Sequence, residues 1–109
     1  MPAEIPESKT MIERKGIAGK AKKIAELLKI LANENRLLIL CVLMENPRTV
    51  SELMKRIPGI TQSAVSQHLS LLKTHGFLDS VKSGLRITYS IADSRVKDVI
   101  CVLKKHYCK

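Results

Sequence analysis

Aromatic side chains are nearly missing from this chain: one phenylalanine, two tyrosines and no tryptophan among 109 residues. Hydrophobic content is ordinary, at 45%, so the core must be built from Leu, Ile, Val and Ala. That favours helices over a β-sandwich. Long apolar runs are missing too. No stretch reaches the roughly 18 residues of a membrane-spanning helix. The N-terminal MPAEIPESKTMIERKG mixes charges of both signs and has no apolar h-region. No signal peptide and no membrane partner are therefore expected, and the expected location is the cytoplasm. The three cysteines are odd in number and include no C-x-x-C pair, which argues against a secreted disulfide framework. In a reducing compartment thiols are the default. Acidic residues are scarce, 10 against 19 Lys and Arg, for a net charge of +9. A small domain this basic is suited to a polyanionic partner.

The length points to one domain. Residues 1–16 hold Pro2, Pro6 and Gly16 among mixed charges, and read as a flexible N-terminal arm ahead of a domain spanning 17–109. From Ala18 a helical stripe begins, with Ala21, Ile24, Ala25, Leu28 and Leu31 at three- and four-residue steps. Asn33 looks like the cap of a second helix, about 34–44, whose centre LLILCVLM is apolar all round and suits burial on several sides. Ser51 is expected to cap a third helix over 52–57, stopped by Pro58-Gly59. Thr61 caps a fourth, running to Thr74, with Gly76 where a left-handed residue is wanted. Residues 77–82 and 85–91 read as two strands around a Ser83-Gly84 turn, and a last helix starts at Asp93 or Ser94. The expected fold class is mainly α with a small β-hairpin, in the order α-α-α-α-β-β-α. That is the order of a winged helix-turn-helix.

The fourth helix, TQSAVSQHLSLLKT, carries small polar residues at its front and leucines behind. Ala64, Val65, Leu69 and Leu72 can face a core, which turns Gln62, Ser63, Ser66 and Gln67 outward near the N-terminus. A recognition helix offers its N-terminal residues to base edges in the major groove. Gln can pair bidentately with adenine, and Ser or Thr can reach base edges and phosphates. Lys82 and Arg86 flank the hairpin tip, where a wing can place cations on the DNA backbone. Thr61, His68 and Lys73 complete the candidate DNA-binding set, with double-stranded DNA as the partner. For His68, packing among the leucines and a phosphate contact both stay open.

The segments LLKILANENRLLILCVLMENPRTVSEL, TQSAVSQHLSLLKTHGFL and RITYSI together resemble the ArsR/SmtB family of bacterial transcriptional regulators, over about 24–108. The resemblance implies a homodimer that pairs its first and last helices and sets two recognition helices on a pseudo-palindromic operator, most simply as a repressor. The metal-sensing members imply ligand sets that this chain departs from. No cysteine lies in 51–56, where the arsenic and cadmium type carries C-x-C. The zinc positions read Asp93-Ser94-Arg95 and His106-Tyr107-Cys108-Lys109, with cations replacing two ligands. No metal and no cofactor are expected.

Within the family the chain is most similar to the HlyU-type regulators and the sulfide- and persulfide-responsive repressors, whose two cysteines match Cys41 and Cys108. The resemblance implies a thiol switch at that pair, with reactive sulfur or an oxidant as effector. Lys104, Lys105, His106 and Lys109 near Cys108 favour its thiolate. Cys41 lies in an apolar helix, where a thiol commonly just packs. Cys101, two helical turns before Cys108, is interface packing or a rival partner. The alternatives are a regulator without sensing, acting by displacement or abundance, and a metal-responsive repressor. An enzyme is not expected, since an H-x-C near a chain end offers no pocket and no oxyanion donors.

Overall fold

The computed structural model describes residues 11–107, and side chains at 16 and 18–107. Most of the expected flexible arm (1–10) and Cys108 therefore lie outside the described residues. The chain divides into two compact units, Met1–Leu31 and Ala32–Lys109.

The first unit contains α1, Met11–Leu31. The helix begins seven residues before the apolar stripe at Ala18 and passes through Gly16 and Gly19. A single helical glycine costs about 1 kcal/mol against alanine, too little to stop a long helix. The stripe itself meets solvent, with Ile24 58% and Leu28 49% exposed.

The second unit runs α2 (Glu34–Glu45), β1 (Arg48–Thr49), α3 (Val50–Arg56), α4 (Gln62–Thr74), β2 (Leu78–Ser83), β3 (Arg86–Ile91) and α5 (Ser94–Tyr107). Among the described residues, five helices with a hairpin after the fourth follow the expected order, and the architecture is a winged helix-turn-helix. The sheet has one strand more than expected. β1 pairs antiparallel with β3, Arg48 opposite Tyr89 and Thr49 opposite Thr88, giving the order β1-β3-β2. Two residues are too few to show the alternation by which a strand is read from sequence. The hairpin turn is Gly84-Leu85, closed by Ser83 opposite Arg86, one residue later than the expected Ser83-Gly84. Gly84 takes φ 63°, while among the described residues none other than glycine has a positive φ. That is the pattern of a two-residue type II′ turn, which places glycine first.

Capping fixes the frame of the helix-turn-helix. Asn33 caps α2, its side chain accepting from the Arg36 amide at 3.1 Å. α3 is capped by Thr49, not by the expected Ser51. The Thr49 hydroxyl accepts from the Glu52 amide at 3.2 Å, and the Glu52 carboxylate accepts from the Thr49 amide at 3.0 Å. This is a capping box, T-x-x-E, whose reciprocal bonds satisfy two backbone donors where Ser51 would satisfy one. Thr49→Ala is expected to cost about 1 kcal/mol of stability, measured by urea unfolding, because the buried end of β1 and the start of α3 lose the same hydroxyl. Thr61 caps α4 as expected, accepting from the Ala64 amide at 3.1 Å. Gly76, at φ 78°, supplies the left-handed residue that turns the chain into β2.

The core of this unit is aliphatic. Ile39 and Leu40 of α2, Leu53 of α3, Val65, Leu69 and Leu72 of α4, Leu78 of β2, and Val96 and Ile100 of α5 are all fully buried. α4 is thereby held rigidly along its inner face, which positions everything on its outer face.

Candidate nucleic-acid interface

At about 100° per residue, Gln62, Ser63, Ser66 and Gln67 span about 140° of the α4 surface, opposite Val65 and Leu72. All four are exposed, as is the capping Thr61. The expected cluster is therefore brought together on one face at the helix N-terminus, where the helix dipole and unpaired amides also favour phosphate. A cleft of about 810 Å³ opens beside it. Gln62 and Ser66 form one wall, Ser51, Met54 and Lys55 of α3 a second, and Leu85, Arg86 and Ile87 of the wing a third.

The remaining expected residues fall in different places. Arg86 lies in the wing wall of the cleft, its guanidinium 3.8 Å from the Glu52 carboxylate and largely in solvent. Lys82 is exposed on β2 near the tip. Lys73 shares the azimuth of Gln62 but lies eleven residues, about 16 Å, further along α4. There its ammonium donates to Ser80 Oγ at 2.6 Å, tying the end of the helix to β2. His68 is half-buried. Burial first, and the Arg36 charge second, push its imidazole below the usual histidine range. It is therefore neutral near pH 7, which suits packing better than a phosphate contact.

Sequence reading missed Ser51, Lys55 and Leu85 as parts of this surface. Lys55 carried a signal, being a cation in the last turn of the helix before the recognition helix. Leu85 was assigned to the return strand and instead occupies the turn.

A second group lies behind the interface. Glu45, at the end of α2, accepts from Arg56 of α3 at 2.7 Å and from Arg48 of β1 at 3.3 Å, with Lys104 of α5 at 3.9 Å. The Arg56 hydrogen bond, foremost, holds the Glu45 carboxyl below the usual carboxylate range. Lys104 also donates to the backbone carbonyl of Cys41 at 3.3 Å. α5 is thus joined by one side chain both to the cysteine turn of α2 and to the carboxylate that holds α3. Cys41 is half-buried and Cys101 exposed.

At the start of α5, Asp93 has both carboxylate oxygens on Arg95. Oδ2 accepts from the guanidinium at 2.6 Å, and Oδ1 accepts from the Arg95 amide at 2.7 Å. The Arg95 side-chain hydrogen bond is the main cause holding the Asp93 carboxyl below its usual range. The carboxylate that a metal would use is already paired with a cation from the first turn of α5. Among the described residues, no three His, Cys, Asp or Glu side chains are gathered closely enough to hold a metal ion. No helix of the described residues is long and apolar enough to cross a membrane.

Comparison with known proteins gives the family. The profile of bacterial regulatory proteins of the arsR family matches residues 33–80, from the α2 cap into β2. The HTH-type transcriptional regulator YgaV of Escherichia coli is 40% identical over 98 residues, covering 90% of this chain and 99% of YgaV. The transcriptional activator HlyU of Vibrio cholerae is 40% identical over 87 residues, 80% of each chain. The solved structure of reduced HlyU superposes with a TM-score of 0.82 at 37% identity, covering 87% of this chain and 99% of that one. The homodimeric winged helix-turn-helix DNA-binding domain of Mb0332 from Mycobacterium bovis gives a TM-score of 0.67 at 26% identity, over 95% of this chain and 88% of that one. With a helix-turn-helix, a wing, and relatives 40% identical over 80–99% of their length, the chain belongs to the ArsR family of bacterial transcriptional regulators.

Proposed function

We propose that this protein is a homodimeric repressor that reads a pseudo-palindromic operator through α4 and releases it when Cys41 and Cys108 are joined. The observation that carries the DNA half is the exposed set Gln62, Ser63, Ser66 and Gln67 on one face of a helix whose opposite face is locked in the core. Gln62 and Gln67 read base edges, Ser63 and Ser66 reach bases or phosphates, and Lys82 and Arg86 ride on the backbone. The homodimer is supported by the exposed apolar side chains of α1 and α5, and by the homodimeric Mb0332 domain.

The thiol half is supported by the Lys104 link. Cys108 follows Lys104 by four positions, which limits their Cα separation to about 14 Å. Lys104 itself rests on the Cys41 carbonyl. The chemistry balances with a small persulfide as the co-reactant. One cysteine thiolate takes the outer sulfur of R–S–SH, releasing R–SH and becoming a persulfide. The second thiolate then attacks the inner sulfur of that protein persulfide, forming the disulfide and releasing hydrogen sulfide. Drawing the end of α5 against α2 disturbs Lys104 and, through Glu45, the Arg56 that holds α3. The DNA-reading pair α3–α4 is then re-aimed, an allosteric coupling through side chains that already touch.

The test is equilibrium binding to operator duplex at fixed salt, before and after treatment with a small persulfide. Binding is expected to fall at least ten-fold on treatment and to recover with reductant. Cys41→Ser and Cys108→Ser are expected to bind normally and not respond, while Cys101→Ser responds like wild type. A response kept by both serine variants removes the switch and leaves a regulator controlled by displacement or abundance. Binding that answers instead to zinc or a chelator returns metal sensing.

A further inference from the structure

Among the described residues, Leu85 is the most exposed large apolar side chain, at 100%. A scattered surface leucine needs no explanation. This one is held at the tip of a two-residue turn whose backbone is set by Gly84 at φ 63°, on strands paired up to Ser83 opposite Arg86. Cross-strand register places Ser83 and Arg86 on one face of the ribbon, and Lys82 and Ile87 on the other. A cation therefore flanks the leucine on each face. Apolar character continues behind the tip in Val81 and Ile87, both exposed. Leu85, Arg86 and Ile87 line the same cleft as Gln62 and Ser66, so the tip is continuous with the recognition face.

We infer that Leu85 is an apolar wedge for the DNA minor groove. With α4 in the major groove, the wing tip meets the adjacent minor groove, a slot about 6 Å wide walled by two rows of phosphates. A narrow ribbon with an apolar tip and one cation per face complements that slot. Leu85 lies against sugars and base edges, while Lys82 and Arg86 reach phosphates on opposite walls. Side chains of this kind partly unstack a base step and kink the duplex. The role rests on DNA binding by α4, and adds a preference that base hydrogen bonds do not supply. The step under the wing should be a deformable one such as TA, in place of a stiff AA.

The experiment uses the full chain and a duplex enriched by wild type from a random-sequence pool. Affinities are measured at several salt concentrations for wild type, Leu85→Ser and Lys82→Ala, with thermal melting as a folding control. Leu85→Ser is expected to melt like wild type and to lose roughly ten-fold or more in affinity, the scale of exposing a buried leucine. Its logarithmic salt dependence stays that of wild type, because no phosphate contact is lost. Lys82→Ala weakens binding and reduces the salt slope by about one per wing. Exchanging TA for AA under the wing weakens wild type several-fold and leaves Leu85→Ser unmoved. Leu85→Ser binding within two-fold of wild type, with the same step preference, overturns the wedge while DNA binding stands. Failure of wild type to enrich any duplex removes DNA binding itself and the wedge with it.

Discussion

Leu69→Ala is expected to destabilise the protein by about 2–5 kcal/mol, while Gln67→Ala, two residues earlier, changes stability by no more than about 0.5 kcal/mol. Leu69 is fully buried on the inner face of α4, so truncation leaves a cavity that a packed aliphatic core cannot collapse around. For a unit of this size the melting temperature should fall by roughly 8–40 °C, read by circular dichroism. Gln67 is exposed, and its loss removes no packing. In DNA binding the order reverses. Below its melting temperature the folded fraction of Leu69→Ala still presents the outer face of α4. Gln67→Ala loses a base contact of about 1–3 kcal/mol per half-site, between five- and more than a hundred-fold in affinity, and relaxes preference at that base pair. Because glutamine is neutral, the salt slope does not move. Equal effects of the two substitutions on stability would mean that α4 has no outer face reserved for a ligand.

The contrast between those two faces was legible in the sequence because α4 obeys a simple periodicity and is bounded by strong signals, Thr61 before it and Gly76 after it. The helix order and the hairpin were legible for the same reason. Features that depend on pairing between distant segments were not. β1 is two residues long and exists only because β3 offers an open edge beside it. The start of α3 turned on choosing between neighbouring hydroxyls. Ser51 and Thr49 both precede a helical run, and only the reciprocal partner at Glu52 decides for Thr49. α1 extended past Gly16 because a local breaker is weak against a long helix.

In the candidate site, residue type was a better guide to the recognition face than to its surroundings. Gln62, Ser63, Ser66 and Gln67 were identifiable because polar side chains at those positions have no packing role. His68 and Lys73 come from the same helix, but one is half-buried near the charge of Arg36, a distant residue in sequence, and the other is tied to Ser80 across the turn into β2. The Glu45 cluster was invisible because its longest links join residues far apart in the chain. It joins α2, β1, α3 and α5 through contacts of up to 59 residues' separation, between Glu45 and Lys104. Such a hub is where a signal from α5 can reach α3, though each ion pair in it is exposed and individually weak.

Leu28→Asp is expected to cause a large loss in DNA affinity without touching the recognition face. On α1 the Ile24–Leu28 stripe faces solvent, and α5 exposes Val102 and Tyr107. Apolar surface repeated along helices in this way is what a second copy of the chain would cover. A buried aspartate at such an interface has no partner charge, and its desolvation cost opposes association. Sedimentation is expected to show a dimer for wild type and a monomer for Leu28→Asp, with the helical circular dichroism signal largely kept. A monomer carries one recognition helix where the dimer carries two. The second half-site contact then has to be made at bulk concentration, not at the high effective concentration set by the dimer, and affinity falls by about 10²–10⁴. Shortening the operator to one half-site should bring wild type down to the level of Leu28→Asp and leave the variant unchanged. A Leu28→Asp protein that remains dimeric and binds like wild type would place the subunit interface elsewhere on the chain.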